Sequence, residues 1–359
     1  MQKNIKKWAP KKDLTVILRQ FTDIFNQQNH HRQKRGKDMS VKYVVCVLIC
    51  MIFSCVIAPV VLCVCKKLKA SQSILGYVDK HASKEGTPTM GGFIFLLALL
   101  LAGCFLFEKD QFLAWFVILI TFSYALLGFL DDFIKIKHRH NAGLKPYQKI
   151  VGQVGIALAV SMYLYFSGKT TLTFFAWQFD IGFWIIPLSI FVMVATTNSV
   201  NLTDGLDGLA GGVSFVCLLC FGIVLSFSTL LEVNNLAMLC FGMCGGLLGF
   251  LAFNSYPAKI FMGDTGSLAL GGFVGMIALA SGQVLLLPIV GIMFVASAVS
   301  DIIQVLHYKR TKKRVFLMAP LHHHFEKKGV NENKIVVVYI LITTAVCLAV
   351  LAGYLAVEI

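Results

Sequence analysis

The amino-acid sequence predicts an all-α integral membrane protein with about ten transmembrane helices, and three observations lead to this fold class. Hydrophobic residues fill 57% of the 359 positions, and the mean hydropathy is +0.76. Charged residues make up only 14%, against about 25% in an ordinary soluble domain. The apolar residues also form dense runs, without the alternating polar positions that mark the strands of a membrane barrel.

Ten apolar stretches follow one another along the chain, and most reach the roughly 17 to 25 residues that a helix needs to cross a bilayer. Two of them, 90–107 and 266–281, are short and contain glycine, so their ends are the hardest to place. The expected helices cover residues 41–65, 90–107, 111–130, 149–167, 183–200, 208–228, 236–253, 266–281, 284–306 and 335–357.

Residues 1–38 differ from the rest of the chain, because they are polar and carry ten Lys or Arg against three Asp. They contain no apolar core of a signal peptide. A short amphipathic helix at the membrane surface is expected over Asp13–Phe25. We therefore expect a basic tail over 1–38, either a non-native extension or an alternative start, followed by a single polytopic domain over 39–359.

The distribution of positive charge predicts the orientation of the loops. With ten spans, the loops on one side hold or border 19 Lys or Arg, whereas the opposite loops hold two, Lys109 and Lys169. By the positive-inside rule the basic side faces the cytoplasm, although the basic tail would then lie outside. A basic cytoplasmic face suits anionic lipid headgroups or phosphorylated substrates. We expect no nucleic-acid binding, since no folded soluble domain remains for it.

Acidic residues concentrate on the same basic side, at the ends of spans. Asp131 and Asp132 end the third span, Asp204 and Asp207 precede the sixth, and Asp264 precedes the eighth. Polar groups at membrane depth are costly and persist mainly where they face a cavity or a partner. The pattern therefore predicts one shared aqueous site.

The spacing within each acidic pair suggests a role. Adjacent helical residues point about 100° apart, so one of Asp131 and Asp132 can hold a cation while the other handles a proton or orients Lys135. A solvated helix end is the alternative. Asp204 and Asp207, spaced i, i+3, share one helical face, and a favourable interaction with the helix dipole explains them almost equally well.

Three further motifs supply polar groups on this side. "MGDTGS" places Asp264 between glycines before a short helix, as in loops that bind phosphate at a helix N-terminus, but it is no Walker A motif. "KEGTPTMGG" adds Lys84, Thr87 and Thr89. "APLHHHFEKKG" carries His322, His323 and His324, which cannot all reach one metal from a regular helix. They can contact phosphate or sugar or move a proton, with Glu326 orienting them, or simply form a basic surface loop.

Carboxylates without Cys or His ligand spacing favour a hard cation, and Mg2+ typically takes one or two carboxylates plus substrate phosphates. Nearby Lys and His residues can neutralise phosphate charge in a transition state. A site at the boundary of membrane and cytosol can receive one soluble and one lipid substrate. The sequence thus predicts metal-assisted phosphoryl transfer onto a lipid.

Five motifs together resemble the phospho-N-acetylmuramoyl-pentapeptide transferase family, of the polyprenyl-phosphate N-acetylhexosamine-1-phosphate transferase superfamily. The resemblance covers the loops of nearly the whole chain from about residue 41 and leaves out residues 1–38. Val330 stands where the family usually has tryptophan. The motifs are "KEGTPTMGG", "LGFLDDFIKI", "NLTDGLDGLAGG", "FNSYPAKIFMGDTGS" and "KRVFLMAPLHHHFEKKG".

The resemblance implies a Mg2+-dependent enzyme of a bacterial cytoplasmic membrane, with its active site on the cytoplasmic face, and suggests a homodimer. Its substrates would be UDP-N-acetylmuramoyl-pentapeptide and undecaprenyl phosphate, its products lipid I and UMP. The match implies Asp264 as metal ligand, and a catalytic set that also contains Asp131, Asp132, Lys135, His322 and His323. The implied substrate-binding residues are Lys84, Thr89, Asn201, Asp204, Asp207, Asn254, Phe261, Gly263 and His324.

Two mechanisms and two rival functions remain open from the sequence. The lipid phosphate can attack the sugar-linked phosphate directly after Asp131 takes its proton, which we favour, or a carboxylate can first form a covalent phospho-enzyme. A sister enzyme using UDP-N-acetylglucosamine would share the Asp loops but differ in the last loop. A transporter would carry polar groups near the bilayer midplane, often in repeated halves.

Overall fold

The computed structural model describes residues 14–68, 86–107, 109, 111–138 and 143–358. Almost all the regular structure in these ranges is helical. The helices are α1 Leu14–Lys67, α2 Gly92–Ala102, α3 Phe112–His138, α4 Pro146–Phe166, α5 Ile185–Thr203, α6 Leu209–Ser226, α7 Leu231–Asn254, α8 Gly263–Ala280, α9 Leu287–Val290, α10 Ile292–Thr311, α11 Leu321–Lys327 and α12 Glu332–Glu358.

The predicted fold class, an all-α membrane protein, is confirmed, but the count of ten spans is not. In the described part of the chain, eight helices are long and apolar enough to cross a membrane. Stretch 90–107 forms only the 11-residue α2 and a short 3-10 turn. Stretch 284–306 is divided at Gly291 into α9 and α10, of which α9 has four residues.

Two compact units make up the chain, residues 1–45 and residues 46–359. In the first unit, the described backbone is helical from Leu14 onward. This helix is α1, which continues to Lys67 and so includes the first predicted span. The short separate helix expected over Asp13–Phe25 is therefore replaced by the beginning of a longer one.

A small β-hairpin joins α4 to α5, and the sequence analysis predicted no strand there. Strands β1 Thr171–Phe174 and β2 Trp177–Asp180 pair antiparallel. Threonine and aromatic residues, which favour extended backbone, supply most of both strands. Thr173 N donates to Gly282 O at 2.8 Å, which fastens the hairpin beside the C-terminal end of α8.

Helix α8 forms the centre of the second unit. It is 94% buried over its apolar window, compared with 28% for the windows of α4 and α12. Glycines let its neighbours approach closely: a Cβ on Gly128 of α3 would overlap the Asp264 carbonyl, and one on Gly92 of α2 would overlap Gly266. Residues on the first turn of α8 are thereby held between other helices.

Candidate active site

The end of α3 and the beginning of α8 bring three predicted carboxylates together. Asp131, Asp132 and Asp264 each offer an oxygen within 4.8 Å of the other two. Asp131 and Asp132 are both 2% exposed, whereas Asp264 is partly exposed. Residues more than 130 positions apart therefore form one cluster, as the distribution of acids predicted.

The Asp264 carboxylate is the meeting point of the cluster. Its Oδ2 lies 2.8 Å from the Nζ atoms of both Lys135 and Lys149. Its Oδ1 accepts a hydrogen bond from Asn201 Nδ2 at 2.7 Å, and the same amide donates to Ser267 Oγ at 2.8 Å. Helices α3, α4 and α5 thus each contribute one donor to a carboxylate on α8.

Sequence reasoning found Lys135 but missed Lys149. Lys149 lies near the beginning of α4, with its Nζ 3.8 Å from Asp131 Oδ2. A lysine at the end of a span on the same side as the acids was a usable signal. Its partner, however, depends on how α4 packs, and the sequence does not specify that.

Asp131 is held from both sides. It forms an ion pair with Lys135, four residues later on α3, and its Oδ1 accepts from Leu144 N at 2.8 Å. A Cβ on Gly143 would lie 2.5 Å from Oδ1, so the chain folds closely over this carboxylate. Lys135 and Leu144 N thus offset part of the buried charge of Asp131.

Asp132 faces a different set of donors. Its oxygens accept hydrogen bonds from the backbone of Asp264 and from the backbone and hydroxyl of Thr265. Thr265 was not among the predicted site residues. Although the two residues are adjacent, Asp131 contacts both lysines, whereas Asp132 accepts from the first turn of α8 and lies 3.9 Å from Lys135 Nζ. The two side chains thus differ in direction, as predicted.

The loop between α5 and α6 lies beside the cluster. Asp207 Oδ2 accepts from Ala258 N at 2.9 Å, and its own N–H donates to Glu332 Oε1 at 2.8 Å. Asn254 Oδ1 accepts from Gly208 N at 3.1 Å, while its Nδ2 donates to Ile260 O at 2.9 Å. Asp207 and Asn254 thus hold the loops together, and Glu332 joins them without having been predicted.

Asp204 in this loop lies close to other negative charges. Burial, and then the charges of Asp264, Asp132 and Asp207, raise the pKa of Asp204 to about 8. This carboxyl group is therefore protonated over much of the neutral range, unlike an ordinary surface aspartate.

The three histidines separate, as predicted. A Cβ on Gly205 would overlap His322 Nε2 and would lie 3.0 Å from His323 Nε2, so both rings lie against the α5–α6 loop. His323 Nδ1 lies 2.9 Å from Glu326 Oε2, the orienting contact expected for Glu326. His324 Nδ1 instead accepts from Leu317 N at 3.1 Å.

His322 is the most enclosed of the three. It is 0% exposed, and neither ring nitrogen has a hydrogen-bond partner among the described residues. Burial, and then the neighbouring His323, lower the pKa of His322 to about 3. A neutral ring with free nitrogens can donate to or accept from a ligand at neutral pH.

The remaining predicted residues border the cluster. Thr89 is 4% exposed, and a Cβ on Gly263 would lie 2.6 Å from its Oγ1. Phe261 N donates to Pro88 O at 2.8 Å, and Phe261 O accepts from Gly91 N at 2.8 Å, which joins the segment before α2 to the one before α8. Lys84 lies outside the described residues.

Comparison with known proteins agrees with the motifs. The profile of glycosyl transferase family 4 matches residues 114–282. The phospho-N-acetylmuramoyl-pentapeptide-transferase of Clostridioides difficile (strain 630) is 41% identical over 82% of this chain and 92% of its own. Proteins of the same name from Thermoanaerobacter sp. (strain X514) and Clostridium acetobutylicum are 41% and 43% identical, over 85% and 84% of this chain and 96% of their own lengths.

Sequence identity at this level covers more than four-fifths of the chain, and the predicted motifs point to the same family. The chain belongs to the phospho-N-acetylmuramoyl-pentapeptide-transferase family.

Proposed function

We propose that this protein transfers phospho-N-acetylmuramoyl-pentapeptide from its UDP-linked donor to undecaprenyl phosphate, giving lipid I and UMP for bacterial cell-wall synthesis. The observation that carries the proposal is the convergence of Asp131, Asp132 and Asp264 on one point, in a chain 41–43% identical to transferases of that name. In this reaction an oxygen of the lipid phosphate attacks the sugar-linked phosphorus, and the bond to the UMP oxygen breaks.

The carboxylate cluster fits a Mg2+ ion. Its donors are all carboxylate oxygens, which suit a hard cation, and they lie close enough together to share one. We assign Asp264 as the main ligand, because it is the most accessible of the three. The bound ion would neutralise charge on the diphosphate.

The two lysines at Asp264 suit the same diphosphate. Lys135 and Lys149 place two ammonium groups at one carboxylate oxygen, next to the metal-binding oxygens. Ammonium groups positioned there can stabilise the negative charge that develops on the departing UMP. Both lysine side chains are mostly buried beside the carboxylates, with only 21% and 18% of their surface exposed.

Asp131 is the proposed acceptor of the proton from the lipid phosphate. A phosphate monoester has a second pKa of about 6, so it needs little activation at neutral pH. This favours direct attack over a covalent phospho-enzyme. Isolation of a phosphorylated aspartate after incubation with the UDP-linked donor alone would overturn the direct route.

The surrounding polar residues are the proposed donor-substrate pocket. Asn201, Asp204, Asp207, Phe261, Lys84 and Thr89 would lie toward uridine and ribose. Asn254, His322, His323 and His324 would lie toward the diphosphate and sugar, and Gly263 completes the substrate-binding set. The free ring nitrogens of buried His322 support this side of the assignment.

We also propose a bacterial cytoplasmic membrane as the location, with the cluster on the cytoplasmic face, and a homodimer as the assembly. The charge asymmetry of the loops supports the orientation. A protease added to inverted vesicles should leave a C-terminal tag intact, because α12 follows the last basic loop and carries the chain from the cytoplasmic to the periplasmic side. Cleavage of the tag would contradict this orientation.

The reaction can be tested with purified protein in detergent, Mg2+ and undecaprenyl phosphate, with the product identified by mass. We expect lipid I and UMP from UDP-N-acetylmuramoyl-pentapeptide, and no lipid product from UDP-N-acetylglucosamine. Product from UDP-N-acetylglucosamine alone would indicate the sister enzyme. Solute uptake into proteoliposomes without UMP release would indicate a transporter.

A further inference from the structure

The first turn of α8 takes its cap from another helix. The first N–H groups of a helix have no partner within it and need an outside acceptor. Met262, the residue before the helix, makes no side-chain cap. Asp132 on α3 supplies the acceptors instead: Oδ1 accepts from Asp264 N at 3.2 Å, and Oδ2 accepts from Thr265 N at 2.9 Å.

The hydroxyl of Thr265 strengthens this contact. Thr265 Oγ1 donates to Asp132 Oδ2 at 2.7 Å, so one carboxylate receives three hydrogen bonds from two consecutive residues. Thr265 is 0% exposed and Asp132 is 2% exposed. Hydrogen bonds to a buried anion are stronger than those between neutral groups, and the N-terminal end of a helix also favours negative charge.

Two glycines allow the close approach of α3 to the first turn of α8. Gly263 has φ +73°, and a Cβ there would lie 2.7 Å from Asp132 Oδ2. Gly128 lies one turn before Asp132 on α3, where a Cβ would overlap the Asp264 carbonyl. The first turn of α8 is thus held against α3 by two glycines and one carboxylate.

This geometry separates the two adjacent aspartates by role. Asp131 faces the ammonium groups of Lys135 and Lys149, where a phosphate would lie. Asp132 also lies 3.9 Å from Lys135 Nζ, but both of its oxygens accept hydrogen bonds from the first turn of α8, so this carboxylate is directed toward α8.

We propose that Asp132 and Thr265 form a clamp that fixes the first turn of α8 and thereby directs the Asp264 carboxylate, so that Asp132 is a positioning residue. This inference rests on the proposed transferase function. It adds Thr265 to the residues that the reaction depends on, through a buried hydroxyl that donates to Asp132.

The hydroxyl is tested by two substitutions of Thr265. Thr265→Val keeps the shape and removes the donor, so we expect kcat to fall roughly tenfold to hundredfold. The KM for the UDP-linked donor should change by less than about threefold, because the substrate contacts remain. Thr265→Ser retains the donor and should restore most of the rate. Wild-type kcat in Thr265→Val, or an equal loss in Thr265→Ser, would overturn the proposal.

A second measurement, amide hydrogen exchange, tests the clamp independently of enzyme activity. Amide hydrogen exchange over residues 263–268 should rise in Asp132→Asn, because the amide has one acceptor oxygen where the carboxylate has two. Asp131→Asn is the matched control, because the N–H groups of this turn donate to Asp132, whereas Asp131 accepts from Leu144 N and pairs with Lys135. This variant should leave the exchange of the turn unchanged. Equal exchange in the two variants would contradict the clamp.

The two proposals can fail separately. A wild-type protein that converts neither UDP-sugar refutes the proposed function, while hydrogen exchange still decides whether the clamp exists. An active wild-type protein with an unaffected Thr265→Val variant refutes the positioning role alone.

Discussion

The two ends of α8 are built from different interactions. At the N-terminal end, the Asp264 carboxylate receives two ammonium groups and an amide. At the C-terminal end, the hydrogen bonds join uncharged groups: Gly282 O accepts from Thr173 N, and Gln283 Oε1 accepts from Tyr354 Oη at 2.8 Å. Neutral hydrogen bonds join the C-terminal end of α8 to the hairpin and to α12, and the ion pair nearby, Lys169–Glu232, is partly exposed. The convergence of charge at the other end therefore indicates a chemical task rather than a need for stability.

The largest difference in the rate of UMP release should appear when one aspartate is removed at each end of α8. Asp264→Ala should lower the rate of UMP release roughly a thousandfold or more, because it removes the proposed metal ligand and leaves Lys135 and Lys149 with Asp131 as their shared partner. Asp180→Ala, in the exposed β2 strand, is the matched control and should leave the rate within about twofold. Both rates require a check of folding by thermal melting. Near-normal turnover in Asp264→Ala would refute its role.

A smaller loss is expected from the lysine that sequence reasoning missed. Lys149→Met removes one of the two ammonium groups at Asp264, and the rate should fall roughly tenfold or more. Lys137→Met changes an exposed lysine at the end of α3 and serves as the control. If both variants lose activity equally, the effect comes from general surface charge and not from the contact with Asp264.

The pH dependence of stability should also differ between the ends. Because the folded-state pKa of Asp204 is raised to about 8, the unfolded chain loses this proton at lower pH than the folded protein does. Asp204 should therefore lower the melting temperature as the pH rises from about 5 to about 8. In Asp204→Asn, the melting temperature measured over the same pH range should fall less steeply than in the wild type.

Asp180 is the control for this experiment. Hydrogen bonds from Thr170 and from Gly182 N hold the pKa of Asp180 below its usual value, so it stays ionised throughout that range. Asp180→Asn should leave the slope of melting temperature against pH unchanged. A slope in Asp204→Asn equal to that of the wild type would contradict the assignment.

The smallest effect is expected at an ion pair near the hairpin. Lys169 Nζ lies 2.7 Å from Glu232 Oε2, but the two side chains are 26% and 33% exposed. Such pairs contribute at most about 1 kcal/mol. Lys169→Met should therefore leave UMP release unchanged and lower the melting temperature by only a few degrees, roughly. A large loss of activity would show that the two ends are coupled.

The sequence predicted the carboxylates but not the groups that hold them. Asp131, Asp132 and Asp264 are recognisable because charge is costly beside an apolar span. Lys149, Thr265 and Glu332 acquire their partners only through the packing of helices, and a lysine or threonine at a span end is otherwise ordinary. Their contacts could not be derived without coordinates.

The same limit applies to the fold. Long apolar runs predicted the helices of the bundle, since a bilayer demands internal hydrogen bonding of the backbone. The division at Gly291 and the hairpin of β1 and β2 depend on contacts between distant parts of the chain, such as that of Thr173 with Gly282. Local composition does not specify such contacts.

Helix α8 has the lowest mean hydropathy of the eight candidate spans and is also the most enclosed. A segment with an aspartate in its first turn and glycines along its length gains little from entering lipid alone. It should therefore be drawn into the membrane by the helices already inserted before it. Biosynthesis of this protein should therefore follow an order in which α3 and α5 are in the bilayer before α8. Helix α8 should leave the translocon only when these helices provide a protein surface against which it can pack.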